Sequence, residues 1–241
     1  MEFLLNLLVS LFDPINSALG VMYESLVSFF QYIKLDDALS FFCKYHLLIC
    51  ALIFVLMLIY FCAFDKSRSY MSFTEPWNII IVLCFIPVYM FFSERNMDLS
   101  LFKLGTVSIH SFILIIIAKL YGPIMTATFG GLEYILSYIN NPNSPLMMSL
   151  FFVYAIGGLI HGWILYEKRT AFWRCLVARI LAVFLCNVIL IAFVRAGVYG
   201  DPISMTIPAA IATNIIQIPI QSLIGYIALL ILRFIRQKME I

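Results

Sequence analysis

Glu133 stands inside an apolar run, ATFGGLEYILSYI, and is the sole charge between Pro123 and Asn140. An acid at that depth of a hydrophobic segment is costly, and its default reading is functional. Two uses fit it. It pairs with a cation or backbone amide between helices, or it accepts a donor from a bound solute. Arg179 in VARILAV and Arg195 in AFVRAGVYG are the possible counter-charges. Arg195 lies toward the same end as Glu133 and is the expected partner, for the acid or for an anionic solute. Arg179 falls in the other half of its segment, where a long side chain is expected to snorkel.

Around one end of the apolar segments gather Arg95, Tyr134, Tyr138, Asn140, Asn141, Asn143, Asn187 and Tyr199. Aromatic faces can stack on a planar solute and amides can read its edges. Tyrosines at a membrane interface also anchor to lipid, so both roles stay open. The candidate ligand-binding set is Glu133, Arg195, Tyr134, Tyr138, Asn141, Asn187, Tyr199 and Arg95. The three histidines, His46, His110 and His161, are far apart in the chain. The six cysteines contain no C-x-x-C pair. Neither a metal site nor a disulfide follows from them. No phosphate loop, nucleophile elbow or zinc-peptidase motif occurs, so the chain is expected to be no enzyme and to use no cofactor.

The elements that position these residues must be membrane helices. The chain of 241 residues is 63% hydrophobic and 12% charged, with a mean hydropathy of +1.02. A soluble domain is about 25% charged. Several windows reach the roughly 20 apolar residues a membrane helix needs, and the runs are continuous rather than alternating, which excludes a β-barrel. A net charge of +2 is too small to imply a nucleic-acid partner.

Six spans are predicted at about 77–94, 101–119, 122–139, 146–166, 171–196 and 204–236, preceded by a further transmembrane helix at 45–64. Lys119, Lys168, Arg169, Arg233, Arg236 and Lys238 fall on one side of this pattern, which the bias of basic residues makes cytoplasmic. The C-terminus is then cytoplasmic as well. Residues 1–44 are read as an amphipathic, interfacial segment. Within it the run EFLLNLLVSLF is expected to stop at Asp13-Pro14, and Glu24 further disfavours an unbroken span. A seventh or eighth span is the competing reading. The N-terminus has no basic leader or small-residue cleavage site, so no cleavable signal is expected.

A pattern of small and special residues runs through the second half: Gly122-Pro123, Ala127, Gly130-Gly131, Glu133, Gly157-Gly158, Gly162 and Lys168-Arg169. A second stretch, IPAAIATNIIQIPIQSLIGYIALLIL, covers Ile207 to Leu232. Together these resemble the substrate-binding S component of energy-coupling-factor vitamin transporters, in the folate-type branch, over about residues 77–236. The resemblance implies an all-α polytopic membrane protein with a six-helix S-component-like core, here carrying one additional N-terminal transmembrane helix and the amphipathic segment. It further implies a vitamin-like small-molecule ligand, a scaffold subunit and ATPase subunits supplied in trans, and a bacterial cytoplasmic membrane.

Three positions depart from that family. The first core helix, WNIIIVLCFIPVYMFF, lacks the alanine-rich docking face and carries Pro87. Ile191-Ala192-Phe193-Val194 stands where folate-type members have Asn-Thr-x-Trp, and Ala210 stands where an arginine follows Leu-Pro. Lost polar groups argue against folate itself, because a polar solute rejects a site that leaves its groups unpaired. They also keep an alternative open: a non-transporting, S-component-like scaffold subunit of another bacterial membrane complex.

Overall fold

Continuous apolar runs without alternation can satisfy their backbone only as helices, and helices dominate the computed structural model. It describes residues 2–64, 80, 84–90, 97–98, 106–107, 111–140 and 146–239. The helices are α1 (Glu2–Tyr32), α2 (Leu35–Ala38), α3 (Ser40–Lys44), α4 (His46–Phe64), α5 (Ser111–Asn140), α6 (Met148–Leu165), α7 (Phe172–Ala182), α8 (Ile191–Tyr199) and α9 (Ile203–Met239). A π-helical stretch, Val183–Leu190, joins α7 to α8 without interruption. Four helical stretches among the described residues are long and apolar enough to cross a membrane: Phe112–Asn140, Met148–Leu165, Phe172–Tyr199 and Ile203–Ile235. His46–Phe61 is a shorter apolar helix. The chain is thus a multi-pass, helical membrane protein.

Gly122 breaks α5. Its φ of 80° and ψ of −176° lie in a region that only glycine adopts cheaply, and Pro123 then opens the second half where its missing N–H costs nothing. The two halves do not continue in line. Leu114 and Glu133 line the same cavity, although a straight helix would hold them about 28 Å apart. Lys119 donates to the Lys168 carbonyl, and Gly162 lies against Pro123. Gly122 is therefore a sharp reversal between two membrane segments.

The second half of α5 and α6 pack backbone against backbone. A Cβ on Gly162 would stand 2.3 Å from Pro123 Cα, one on Gly158 2.3 Å from the Thr126 carbonyl oxygen, and one on Gly130 2.6 Å from that of Tyr154. This is small-residue packing in lipid, where close approach replaces the hydrophobic driving force. Helix α4 closes the other side of α6. Cys50 is buried with Val153, Ile156, Ile160, Ala182, Cys186 and Leu190, and the rings of Phe54 and Phe152 lie 5.6 Å apart.

Two predicted boundaries need correction. The span at 101–119 does not begin at 101: Thr106 and Val107 pair with Asp98 and Met97 in a short antiparallel ladder, and the described helix starts at Ser111. Both paired residues on that strand are β-branched, which a hydropathy window does not weigh. The helix from Glu2 also does not stop at Asp13-Pro14 but continues through Pro14 to Tyr32. An internal proline removes one backbone bond from a helix, and α1 runs on past Pro14 without ending there. At 31 residues α1 is about 46 Å long and packs on α9.

The N-terminal elements are tied to the bundle at its far end. The Asp36 carboxylate accepts hydrogen bonds from Ser204 N at 3.0 Å and from Ser204 Oγ at 2.6 Å. Ser204 sits in the first turn of α9, whose free N–H groups need acceptors. Asp36 is thus a helix cap supplied from 168 residues away. Nearby, the Phe42 and Phe193 rings stack at 5.5 Å, and a Cβ on Gly197 would meet the Cys43 carbonyl oxygen at 2.2 Å.

Candidate functional site

Polar side chains from five segments converge between the apolar helices. Glu133 comes from α5, Tyr154 and His161 from α6, Arg179 from α7, Asn187 from the π-helical stretch, and Gln217 and Gln221 from α9. Together with Leu114, Val153 and Cys186 they line a chamber of about 180 Å³. Glu133 is only 9% exposed and His161 only 2%. The residues 84–90 flank Glu133 on one side. Tyr89 packs edge-on against Phe129, and its hydroxyl donates to the Glu133 backbone carbonyl at 3.4 Å.

Several of these polar groups are held by specific bonds. Arg179 donates through Nη2 to the Gln221 side-chain oxygen, leaving Nε buried and without a partner. His161 Nδ1 lies 2.8 Å from the Gly157 carbonyl oxygen. A carbonyl can only accept, so this bond assigns the ring proton to Nδ1. The other ring nitrogen, Nε2, has no partner. Asn187 donates to the Asn214 side-chain oxygen at 3.3 Å, and Asn214 donates onward to the Ala210 carbonyl at 2.7 Å. The π-helical stretch carries Val183, Cys186 and Asn187 on the chamber wall. Such stretches recur where a helix carries a functional side chain.

A second, open cavity of about 490 Å³ lies nearer the Asp36–Ser204 end, lined by Met147, Leu150, Tyr154, Ile191, Val194, Arg195, Tyr199 and Asp201. Tyr154 belongs to both cavities and forms the wall between them. At the opposite end of the bundle, Lys119, Lys168, Arg169, Thr170 and Arg233 line a third cavity of about 500 Å³.

The structure sorts the sequence-predicted set as follows. Glu133 and Asn187 reach the chamber. Arg195 and Tyr199 lie at the outer cavity, and Arg195 is not the partner of Glu133. It bonds instead to Asp201, with Nη2 at 2.7 Å and Nε at 2.9 Å from Oδ2. The turn at Gly200, with φ of 73°, brings the two together at the end of α8. Tyr134 is buried beside the chamber rather than lining it. Its hydroxyl accepts from Met147 N at 2.8 Å, and its ring meets Tyr154 at 5.6 Å. Tyr138 is half-buried on the same helix and lines neither cavity. Arg95 and Asn141 lie outside the described residues.

The cation at the chamber is Arg179, the residue expected to snorkel. Tyr154, His161, Gln217 and Gln221 were also missed. A signal for part of this existed: Asn214, Gln217 and Gln221 are spaced by three and four in an otherwise apolar helix, which places them on one face. Among the described residues no group of histidine, cysteine and acidic side chains is arranged to hold a metal ion.

No protein-family model matches the chain, and no curated protein matches it. A solved structure does. The crystal structure of FolT bound with folic acid superposes with a TM-score of 0.52 at 21% identity, over 61% of this chain and 89% of that one. At that identity the likeness is one of fold, and the fold of this chain is S-component-like.

Proposed function

We propose that this protein is a substrate-binding membrane subunit of an energy-coupling-factor type importer, capturing a vitamin-like small molecule. The observation that carries this reading is the chamber. Glu133, His161, Arg179, Asn187, Gln217 and Gln221 converge on one cavity inside a bundle of membrane-crossing length. Burying that many polar groups in a lipid-embedded core is costly unless they serve a solute or a pathway. The FolT likeness supports the same reading, since that structure holds folic acid. The basic cavity formed by Lys119, Lys168, Arg169 and Arg233 supports a cytoplasmic face at that end and a cytoplasmic C-terminus. The Arg195–Asp201 cavity then opens outward, and Tyr154 stands between it and the chamber. Scaffold and ATPase subunits would come from other chains.

A second reading is supported by the N-terminal elements. Helices α1 to α4 pack on α6, α8 and α9, and Asp36 caps α9. Such an addition suits a non-transporting scaffold subunit that holds another bacterial membrane complex together. Affinity purification in mild detergent, with mass spectrometry of both proteins and extracted small molecules, separates the two. The importer reading is expected to yield a scaffold subunit with ATPases, or a stoichiometric small molecule. Recovery of an unrelated membrane complex with no solute would replace it by the scaffold reading.

A further inference from the structure

Resting on the solute-capture reading, we propose that the chamber selects a compact, uncharged solute that presents an N–H beside a C=O, as in a lactam or cyclic amide. The argument begins with charge. Among the described residues, the chamber wall holds one acid, Glu133, and one cation, Arg179. A purely anionic or cationic solute would leave one of these buried charges worse compensated, and uncompensated buried charge is strongly unfavourable.

Hydrogen-bond chemistry narrows the class further. Arg179 can only donate, and its buried Nε has no partner. His161 holds its proton on Nδ1 against the Gly157 carbonyl, so in the neutral ring the unpartnered Nε2 can only accept. One unpaired buried donor and one unpaired buried acceptor belong to residues that line this chamber, and a group supplying both complements would satisfy them. An amide edge does so with its carbonyl toward Arg179 and its N–H toward His161. The side-chain amides of Asn187, Gln217 and Gln221, which also face the chamber, can pair with a second such edge. Size sets the remaining limit. A chamber of about 180 Å³ is smaller than the roughly 300–1,000 Å³ of sites for drug-sized ligands. It takes a single small ring system, and any larger appendage must extend past Tyr154 into the outer cavity.

The test uses the full chain in lipid nanodiscs and ligand-observed NMR with defined fragments. The lactams are 2-pyridone, uracil and hypoxanthine. Two O-methylated counterparts, 2-methoxypyridine and 6-methoxypurine, lack the lactam N–H. Benzoate and benzamidine are the charged controls. The expected result is saturable binding of at least one lactam. Methylation, or the variant His161→Phe, is expected to weaken it by at least about tenfold, since each leaves a buried group unpaired. His161→Gln keeps an acceptor and is expected to restore most of the affinity. Thermal unfolding of each variant checks that it is folded. Preferential binding of benzoate or benzamidine overturns the amide assignment while leaving solute capture in place. Lactam binding unchanged in folded His161→Phe also overturns the assignment. A chain that binds none of the fragments overturns the assignment, and one that in addition yields neither a small molecule nor a scaffold subunit with ATPases on purification overturns capture as well.

Discussion

Gly157 and Gly158 are neighbours on one helix with opposite freedom. A Cβ at Gly157 meets only Cys186 Sγ at 3.7 Å, an ordinary contact, whereas one at Gly158 falls 2.3 Å from the Thr126 carbonyl oxygen and 2.9 Å from Ala127 Cα. Backbone cannot swing aside as a side chain does. Gly158→Ala is expected to destabilise the protein by about 1–3 kcal/mol, and Gly157→Ala to stay within about 0.5 kcal/mol. Thermal unfolding of the two variants in one detergent decides the matter, and equal melting curves would contradict the packing described. Gly158 and Gly162 were readable as close-packing positions, since a spacing of four places them on one helix face within the wider small-residue pattern, whereas Gly157, expected there too, is not tightly packed. Glu133 was readable too, since one acid in an apolar run is conspicuous. Arg179 was not. Sequence gives depth along a helix, whereas the rotation that turns Arg179 toward Glu133 is set by packing against α6 and α9.

At the scale of elements, Gly122 decides the path of the chain. Its positive φ with extended ψ is closed to L side chains without strain, so Gly122→Ala is expected to cost about 1–3 kcal/mol. Loss of the reversal would also part Leu114 from Glu133 and weaken solute binding. A variant with wild-type stability and wild-type binding would show that the turn is not held by this residue. The reversal was legible in the Gly-Pro pair, and the limits of α4, α6 and α9 fall close to their apolar runs. The Thr106–Val107 ladder and the π-helical stretch were not legible. The first depends on a partner strand outside its own window. The second is a local re-phasing of backbone bonds, with no residue type that marks it. Asn187 was accordingly chosen for its chemistry alone, and it shares the chamber wall with Arg179.

Across the whole molecule, the apolar bundle was evident from composition, and the likeness to FolT extends it to a fold at a TM-score of 0.52. What composition could not reveal is how the first 64 residues join that bundle. Their attachment combines apolar packing of α4 on α6 with a polar cap at one end, Asp36 on Ser204. Asp36→Ala removes a helix cap and is expected to cost about 1–2 kcal/mol. Hydrogen exchange should rise in the first turn of α9 and in α2 and α3, with the α5–α6 pair unchanged. Unchanged exchange at Ser204 would mean that the cap contributes nothing.

The same cap has a consequence in time. Asp36 emerges early in synthesis, and its partner follows 168 residues later. At roughly 5–20 residues per second that gap is about 10–30 s. Through that interval the Asp36 carboxylate is without its Ser204 partner. Arrival of the last helix ends that interval, since Ser204 then donates to the Asp36 carboxylate.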